Sequence, residues 1–169
     1  SNVVAVGNGY GGDLSLGGSL TANGGMGVTL LARQGSNASG DLTQTAGTIY
    51  GSTVMANGLR NVVLNGNLTA GTGMLSVIAG DTMMAGYGGN LSIGSGLLQG
   101  YGGVTLLAIN ATGAEGVITQ AGGALGSSGP GAVVVHGGGN VNLAGVVSAM
   151  SGSVDVQAGV NGLAAMPSA

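Results

Sequence analysis

Gly9-Tyr10-Gly11-Gly12-Asp13-Leu14-Ser15-Leu16 returns as Gly86-Tyr87-Gly88-Gly89-Asn90-Leu91-Ser92-Ile93, so that Tyr10 and Tyr87 hold equivalent places in two copies of one pattern. Outward from this pair the same order of blocks persists. Val28-Thr29-Leu30-Leu31-Ala32 recurs unchanged at Val104 to Ala108, and Leu42-Thr43-Gln44 recurs as Ile118-Thr119-Gln120 at the same spacing (104 − 28 = 118 − 42). Asn61-Val62-Val63-Leu64 is echoed by Asn140-Val141-Asn142-Leu143 at a spacing larger by three, so the second copy holds three extra residues. The turn-like run Ser127-Ser128-Gly129-Pro130-Gly131 is the expected place for them, because insertions in stacked repeats belong in loops.

Within each copy a shorter unit repeats, an apolar-polar-apolar triplet followed by Gly, Asn or Ala. Leu14-Ser15-Leu16, Val28-Thr29-Leu30, Leu75-Ser76-Val77, Leu91-Ser92-Ile93, Val104-Thr105-Leu106 and Val154-Asp155-Val156 all have it. This is the period-2 alternation of a short strand with one buried face. Glycine every seven to ten residues opposes helix by about 1 kcal/mol each relative to Ala. Strands this short are unstable as isolated hairpins but gain partners above and below when stacked coil on coil. The expected fold is all-β: a right-handed parallel β-helix, or β-solenoid, of about eight short coils in two superrepeats. One domain spans 1–169, with superrepeat one over about 9–85 and superrepeat two over about 86–164. Four coils of about 19 residues would fill each superrepeat, and at roughly 4.8 Å per coil the rod would be about 40 Å long. Leu14, Leu16, Val28, Leu30, Leu91, Ile93, Val104 and Leu106 should point inward, and Ser15, Thr29, Ser92 and Thr105 outward.

Composition agrees. Of 169 residues 40 are Gly, Cys, Phe and Trp are absent, and only 4% are charged. In globular domains about a quarter are. Apolar residues at 44% are nevertheless too many for a disordered Gly/Ser linker. Arg33 and Arg60 are the only basic side chains and the net charge is −3, which excludes nucleic acid and a polybasic membrane patch. The longest apolar runs fall far short of the roughly 20 residues of a transmembrane helix. Ser1 to Val6 lack the basic start and long apolar stretch of a signal peptide, so an exported protein would be represented by a processed or excised piece.

Gly40-Asp41-Leu42-Thr43-Gln44-Thr45-Ala46-Gly47, Gly66-Asn67-Leu68-Thr69-Ala70 and Val117-Ile118-Thr119-Gln120-Ala121-Gly122 resemble the degenerate repeats of filamentous-haemagglutinin-like adhesins, bacterial exoproteins exported by two-partner secretion. The resemblance implies a right-handed parallel β-helix, export to the bacterial cell surface, and a part in adhesion, aggregation or biofilm.

The rival is a β-helix polysaccharide-active enzyme or a glycan-binding passenger domain. Its acids would come from Asp13, Asp41, Asp81, Glu115 and Asp155, which are far apart in sequence and would need stacked coils to bring two within about 10 Å. His136 reads as a turn histidine following Val133-Val134-Val135, with no Cys or second His for a metal site or triad. Gly11-Gly12-Asp13-Leu14 is similar to a calcium β-roll repeat, but its second copy carries Asn90 where an Asp is needed. Asn37, Asn67, Asn90 and Asn110 begin Asn-x-Ser/Thr sequons, which turn preference explains without glycosylation. Tyr10, Tyr87 and Tyr101, each in a Gly-Tyr-Gly-Gly setting, would stack as a ladder at equivalent rungs. Thr43-Gln44-Thr45 stands alone and does not make the Thr array of an ice-binding face. No catalytic, cofactor-binding or metal residue is therefore expected. The expected partners are the chain itself, stacked end to end or laterally, or adjoining rungs of a longer chain, with surface glycans as a further ligand class. A surface of seven charged residues and no terminal cap leaves little to keep copies apart.

Overall fold

The computed structural model describes residues 3–6, 12–33, 40–81, 87–111 and 115–160. It contains strands and no helix among these residues, arranged as three parallel sheets that the chain visits in turn. Sheet one stacks β1 (Val3–Val6), β4 (Val28–Ala32), β7 (Val54–Gly58), β10 (Leu75–Ala79), β13 (Val104–Ala108), β16 (Val133–Gly137) and β19 (Val154–Ala158). Sheet two stacks β2 (Leu14–Leu16), β5 (Leu42–Gln44), β8 (Val62–Leu64), β11 (Leu91–Ile93), β14 (Ile118–Gln120) and β17 (Val141–Leu143). Sheet three stacks β3 (Leu20–Thr21), β6 (Thr48–Gly51), β9 (Asn67–Ala70), β12 (Leu97–Gly100), β15 (Ala124–Ser127) and β18 (Val146–Ala149). The fold is a β-solenoid with one strand per sheet in each turn.

The turns are wider and fewer than the eight short coils expected from the repeat length. Val28, Val54, Leu75, Val104, Val133 and Val154 stand in register in sheet one, and the step between them varies from turn to turn, shortest from Val54 to Leu75 and again from Val133 to Val154, and longest from Leu75 to Val104 and on to Val133. Val28 reaches its repeat, Val104, through β7 and β10, so the superrepeat is three turns rather than four. Six steps at ~4.8 Å give sheet one a height of roughly 29 Å. The variation in step arises mainly at one corner, between sheets one and two, where the connection is 59–61 after β7 and 138–140 after β16 but 80–90 after β10 and 109–117 after β13. The three extra residues of the second copy lie at another corner, between sheets three and one. Two residues, 52 and 53, join β6 to β7, whereas 128–132 join β15 to β16.

Alternation places the core where the triplets put it. Val28, Leu30, Leu91, Ile93, Val104 and Leu106 are buried, Leu14 and Leu16 are half-buried against them, and Ser15 and Ser92 are exposed. Thr29 and Thr105 are half-exposed on the outer face. Sheet three adds Ile49, Leu68, Leu98 and Leu125 to the same cluster. Each fully buried Leu or Ile contributes about 1.5–3 kcal/mol, so burial through the middle turns holds the stack together. The core thins at β2, β17, β18 and β19, whose inward residues are half-buried or exposed.

Two polar residues break the apolar rule at equivalent places in the two superrepeats. Gln44 and Gln120 end β5 and β14 pointing inward and are fully buried. The Gln44 side-chain amide donates to the carbonyls of Gly47 (3.2 Å) and Asn67 (3.4 Å), tying strand end to corner and to the next turn. That corner needs glycine: Gly47 and Gly123 adopt φ of 86° and 72°, and a Cβ at either would strike the carbonyl of Gly18 or Gly96 on the preceding turn.

Candidate functional site

The corner between sheets one and two, hereafter the first corner, gathers nearly all the ionisable chemistry. Asp13, Arg33, Asp41, Arg60, Asp81 and Glu115, six of the seven charged residues, lie in its connections, and Asp155 on β19 is the seventh. Two of these carboxylates cap backbone amides of the following turn. Asp13 Oδ1 accepts hydrogen bonds from the Gly40 and Asp41 amides, each at 2.9 Å, and Asp41 Oδ1 accepts from the Asn61 amide at 2.9 Å and its Nδ2 at 3.1 Å. Asn61 Oδ1 in turn accepts from the Asn90 amide (3.0 Å), and Asn90 Oδ1 from the Val117 amide (3.0 Å). Each residue immediately precedes a strand of sheet two, so the four form a ladder with one rung per turn. It stops at Val117, whose side chain has no acceptor.

The ladder explains two sequence candidates together. Asp13 and Asn90, the residues compared with a calcium roll, occupy one structural position where either side chain offers the same acceptor oxygen. Removing a middle rung should be costly, because it strands an amide on the next turn, that of Asn90 in the case of Asn61. Asn61→Ala is expected to lower stability by about 1–3 kcal/mol, the cost of a lost acceptor to a partly buried amide. Urea unfolding checks this, and an unchanged midpoint would refute the ladder's structural role.

Above the ladder, Arg60 reaches across two turns. Its Nη1 lies 3.1 Å from Glu115 Oε1, and its guanidinium carbon sits 5.3 Å from the centre of the Tyr87 ring. Arg60, Tyr87 and Glu115 come from three successive connections, so the contact fastens the long excursions of the first corner to one another. Both charged side chains are partly solvated, which keeps the pair's net contribution small. Tyr87 is therefore held here, whereas Tyr101 follows β12 at the corner between sheets three and one; the two do not form a ladder at equivalent rungs. Tyr10 and Asn37 lie outside the described residues.

His136 is not at a turn. It is the fourth residue of β16, wholly buried although it points to the outer face of sheet one, and its Nε2 is 2.8 Å from Asp155 Oδ2 on the neighbouring β19. Gln157 Nε2 donates to both Asp155 oxygens at 3.0 Å. The Gln157 hydrogen bonds, then the His136 hydrogen bond and charge, hold the Asp155 carboxyl below its ordinary range. A carboxylate stabilised in the folded state contributes fully above its unfolded pKa and loses that contribution as pH falls through the folded value. Asp155→Asn should therefore destabilise the chain at neutral pH, and the difference from wild type should be smaller at about pH 2, below the ordinary carboxylate pKa of about 4 and on the way down through the lowered folded value. Thermal melts at both pH values test this; a constant gap would mean that the carboxylate charge contributes nothing.

The sequons are also absorbed by the stack. Asn67 Oδ1 accepts from the Leu97 amide at 2.8 Å, Asn90 belongs to the ladder, and Asn110 Nδ2 lies 3.5 Å from the Gly138 carbonyl. Among the described residues no group of three or more His, Cys, Asp or Glu side chains could hold a metal ion. No helix among them is long and apolar enough to cross a membrane.

The remaining corner, between sheets three and one, has a different chemistry. It and the outer face of sheet three carry no charged residue, and Met26, Tyr50, Met74, Leu97, Tyr101 and Met150 are exposed there. Sequence reading missed this segregation of charge from apolar side chains. The signal was present in the spacing of the seven charges, but it becomes visible only once the turn boundaries are known. It also missed the buried glutamines, although Thr-Gln at both 43–44 and 119–120 marked them.

No family model, curated protein or solved structure matches the chain.

Proposed function

We propose that this chain is a non-catalytic structural and adhesive segment of a bacterial extracellular fibre, a right-handed solenoid that works by stacking and presenting surface. The observation that carries the reading is the last described rung. Val154 and Val156 on β19 are 47% and 45% exposed, whereas Val133 and Val135, their register partners on β16, are fully buried. The inner face of β19 thus continues the core pattern, and among the described residues no further strand stacks on it, a strand edge suited to further rungs. Those rungs come from another copy or from more of the same polypeptide. The carboxylates support a structural role, since Asp13, Asp41, Glu115 and Asp155 are all engaged in contacts between turns.

Electron microscopy and sedimentation of the isolated chain test the reading, with axial filaments or defined oligomers as the expected result. A stable monomer at tens of micromolar after prolonged incubation would remove assembly as an intrinsic property. Release of oligosaccharide in an unbiased polysaccharide screen would overturn the non-catalytic assignment.

A further inference from the structure

We propose that the uncharged side of the solenoid, sheet three with the corner leading into sheet one, is a lateral interface that takes a second copy of this chain. The inference rests on the fibre reading above and names a surface distinct from the stacking edge of β19. Six large apolar side chains line that side along the stack: Met26, Tyr50, Met74, Leu97, Tyr101 and Met150, between 36% and 74% exposed. They arise from five of the six turns, the turn of β15 supplying none, so they are spread along the axis instead of clustering at one point. Soluble domains rarely leave so extended an apolar strip without a partner.

The strip is low in relief at its two tyrosines. A Cβ built on Gly71 would lie 2.7 Å from the Tyr50 hydroxyl, and one built on Gly129 would lie 2.8 Å from Tyr101 Cδ2. Each tyrosine therefore lies along the surface over a glycine of the following turn, with its outer side in solvent. Methionine supplies the adjustable remainder, since its unbranched thioether adapts to an opposing surface. The outer face of sheet two offers a comparison within the same molecule. Its central positions are Ser15, Thr43, Val63, Ser92, Thr119 and Asn142, small and mostly polar.

Charge selects the occupant. Both copies carry net charge −3, and six of the seven charged side chains sit at the first corner, which sheet three does not border. Pairing through the uncharged sides keeps these groups apart by more than one layer of about 10 Å in each copy. That exceeds the Debye length of about 8 Å at physiological salt, so repulsion is screened. Arg33 and Arg60 are at the first corner too, leaving this side without a cation for an anionic membrane or a charged polymer. A second copy brings the same uncharged strip with the same rung spacing, and so matches it along its length.

The chain has no cysteine, so single-cysteine variants report contacts without background. Thr53→Cys, at the uncharged corner, is expected to cross-link into dimers with a short bis-maleimide at tens of micromolar, and Ser92→Cys on sheet two is expected not to. The triple variant Met74→Ser, Tyr101→Ser, Met150→Ser should weaken lateral association by about tenfold or more in sedimentation equilibrium, since exposed Tyr and Met anchors dominate such contacts. Its circular dichroism should be unchanged, which separates loss of association from loss of fold. Axial filaments that persist in this variant but no longer bundle would support the lateral interface. Lateral dimers without axial filaments would retain it while removing stacking at β19. A Thr53→Cys variant that does not cross-link, together with a wild-type chain that stays monomeric in sedimentation, overturns the proposal. So does a triple variant with intact dimers that has lost only binding to neutral lipid vesicles or β-glucan beads.

Discussion

Leu75→Ala is expected to cost between about 2 and 5 kcal/mol, a large share of the roughly 5–15 kcal/mol typical of a folded domain. Leu75 opens β10 in the middle of sheet one, fully buried between Val54 on one side and Val104 on the other. Its amide donates to the Gly103 carbonyl at 3.0 Å, so the backbone is fixed to the next turn and cannot move in to fill the cavity. In a solenoid each turn packs mainly on its two neighbours, so a defect at mid-stack weakens the link between the two halves and not one local patch. The same truncation at Leu14, half-buried on β2 near the start of the stack, should cost about 1 kcal/mol or less, because less apolar area leaves water there. Urea unfolding followed by far-ultraviolet circular dichroism measures both. Equal costs would show that the core is not graded along the axis.

That gradient was only partly legible in the sequence. Triplet alternation fixes which side chains face inward, because a strand has a period of two whatever lies around it. Leu91 and Ile93 inside and Ser92 outside follow from that alone. The number of turns does not follow, since the distance from Val28 to Val104 divides into three turns as readily as into four. What decides it is the length of the first-corner connections, and the Gly86-Tyr87-Gly88-Gly89 motif inside 80–90 marks a repeat without telling how much chain the corner takes up compared with 59–61. His136 was misplaced for a related reason. Gly137-Gly138-Gly139 looks like the start of a turn, yet β16 runs through Gly137 because β13 and β19 on either side are each five residues long and in register with it. The Asp13, Asp41, Asn61 and Asn90 ladder was hidden in the same way. Aspartate and asparagine before a strand read as ordinary turn residues until the turns are superimposed, when all four fall into one column.

Glycine is the residue whose role the structure divides most sharply, and Gly89→Ala should be among the most damaging single changes. No positive φ is required at Gly89; the constraint is proximity. A Cβ there would fall on the carbonyl of Arg60 in the preceding turn and within 3.0 Å of the Gly80 amide nitrogen, both backbone groups that cannot swing aside. Retreat in the other direction is closed as well. The Gly89 amide donates to the Ile109 carbonyl at 2.9 Å, and its own carbonyl accepts from the Gly116 amide at 3.1 Å, so moving the residue breaks two bonds to the connection of the next turn. Forcing a methyl into a packed site costs about 1–3 kcal/mol, and each backbone hydrogen bond left unmade adds about 1–3 kcal/mol where the group stays buried. The displaced turn also carries Asn90, so the ladder to Asn61 and Val117 is disturbed by the same substitution. Gly18→Ala provides the contrast. Nothing lies within 4 Å of a Cβ at Gly18, so the methyl has room, and restricting the unfolded chain should stabilise the protein by about 0.4–1 kcal/mol. Thermal unfolding of the two variants should therefore move in opposite directions. Equal midpoints would mean that the glycines of this chain are interchangeable, and that the close stacking of turns at the first corner does not limit what the sequence can hold there.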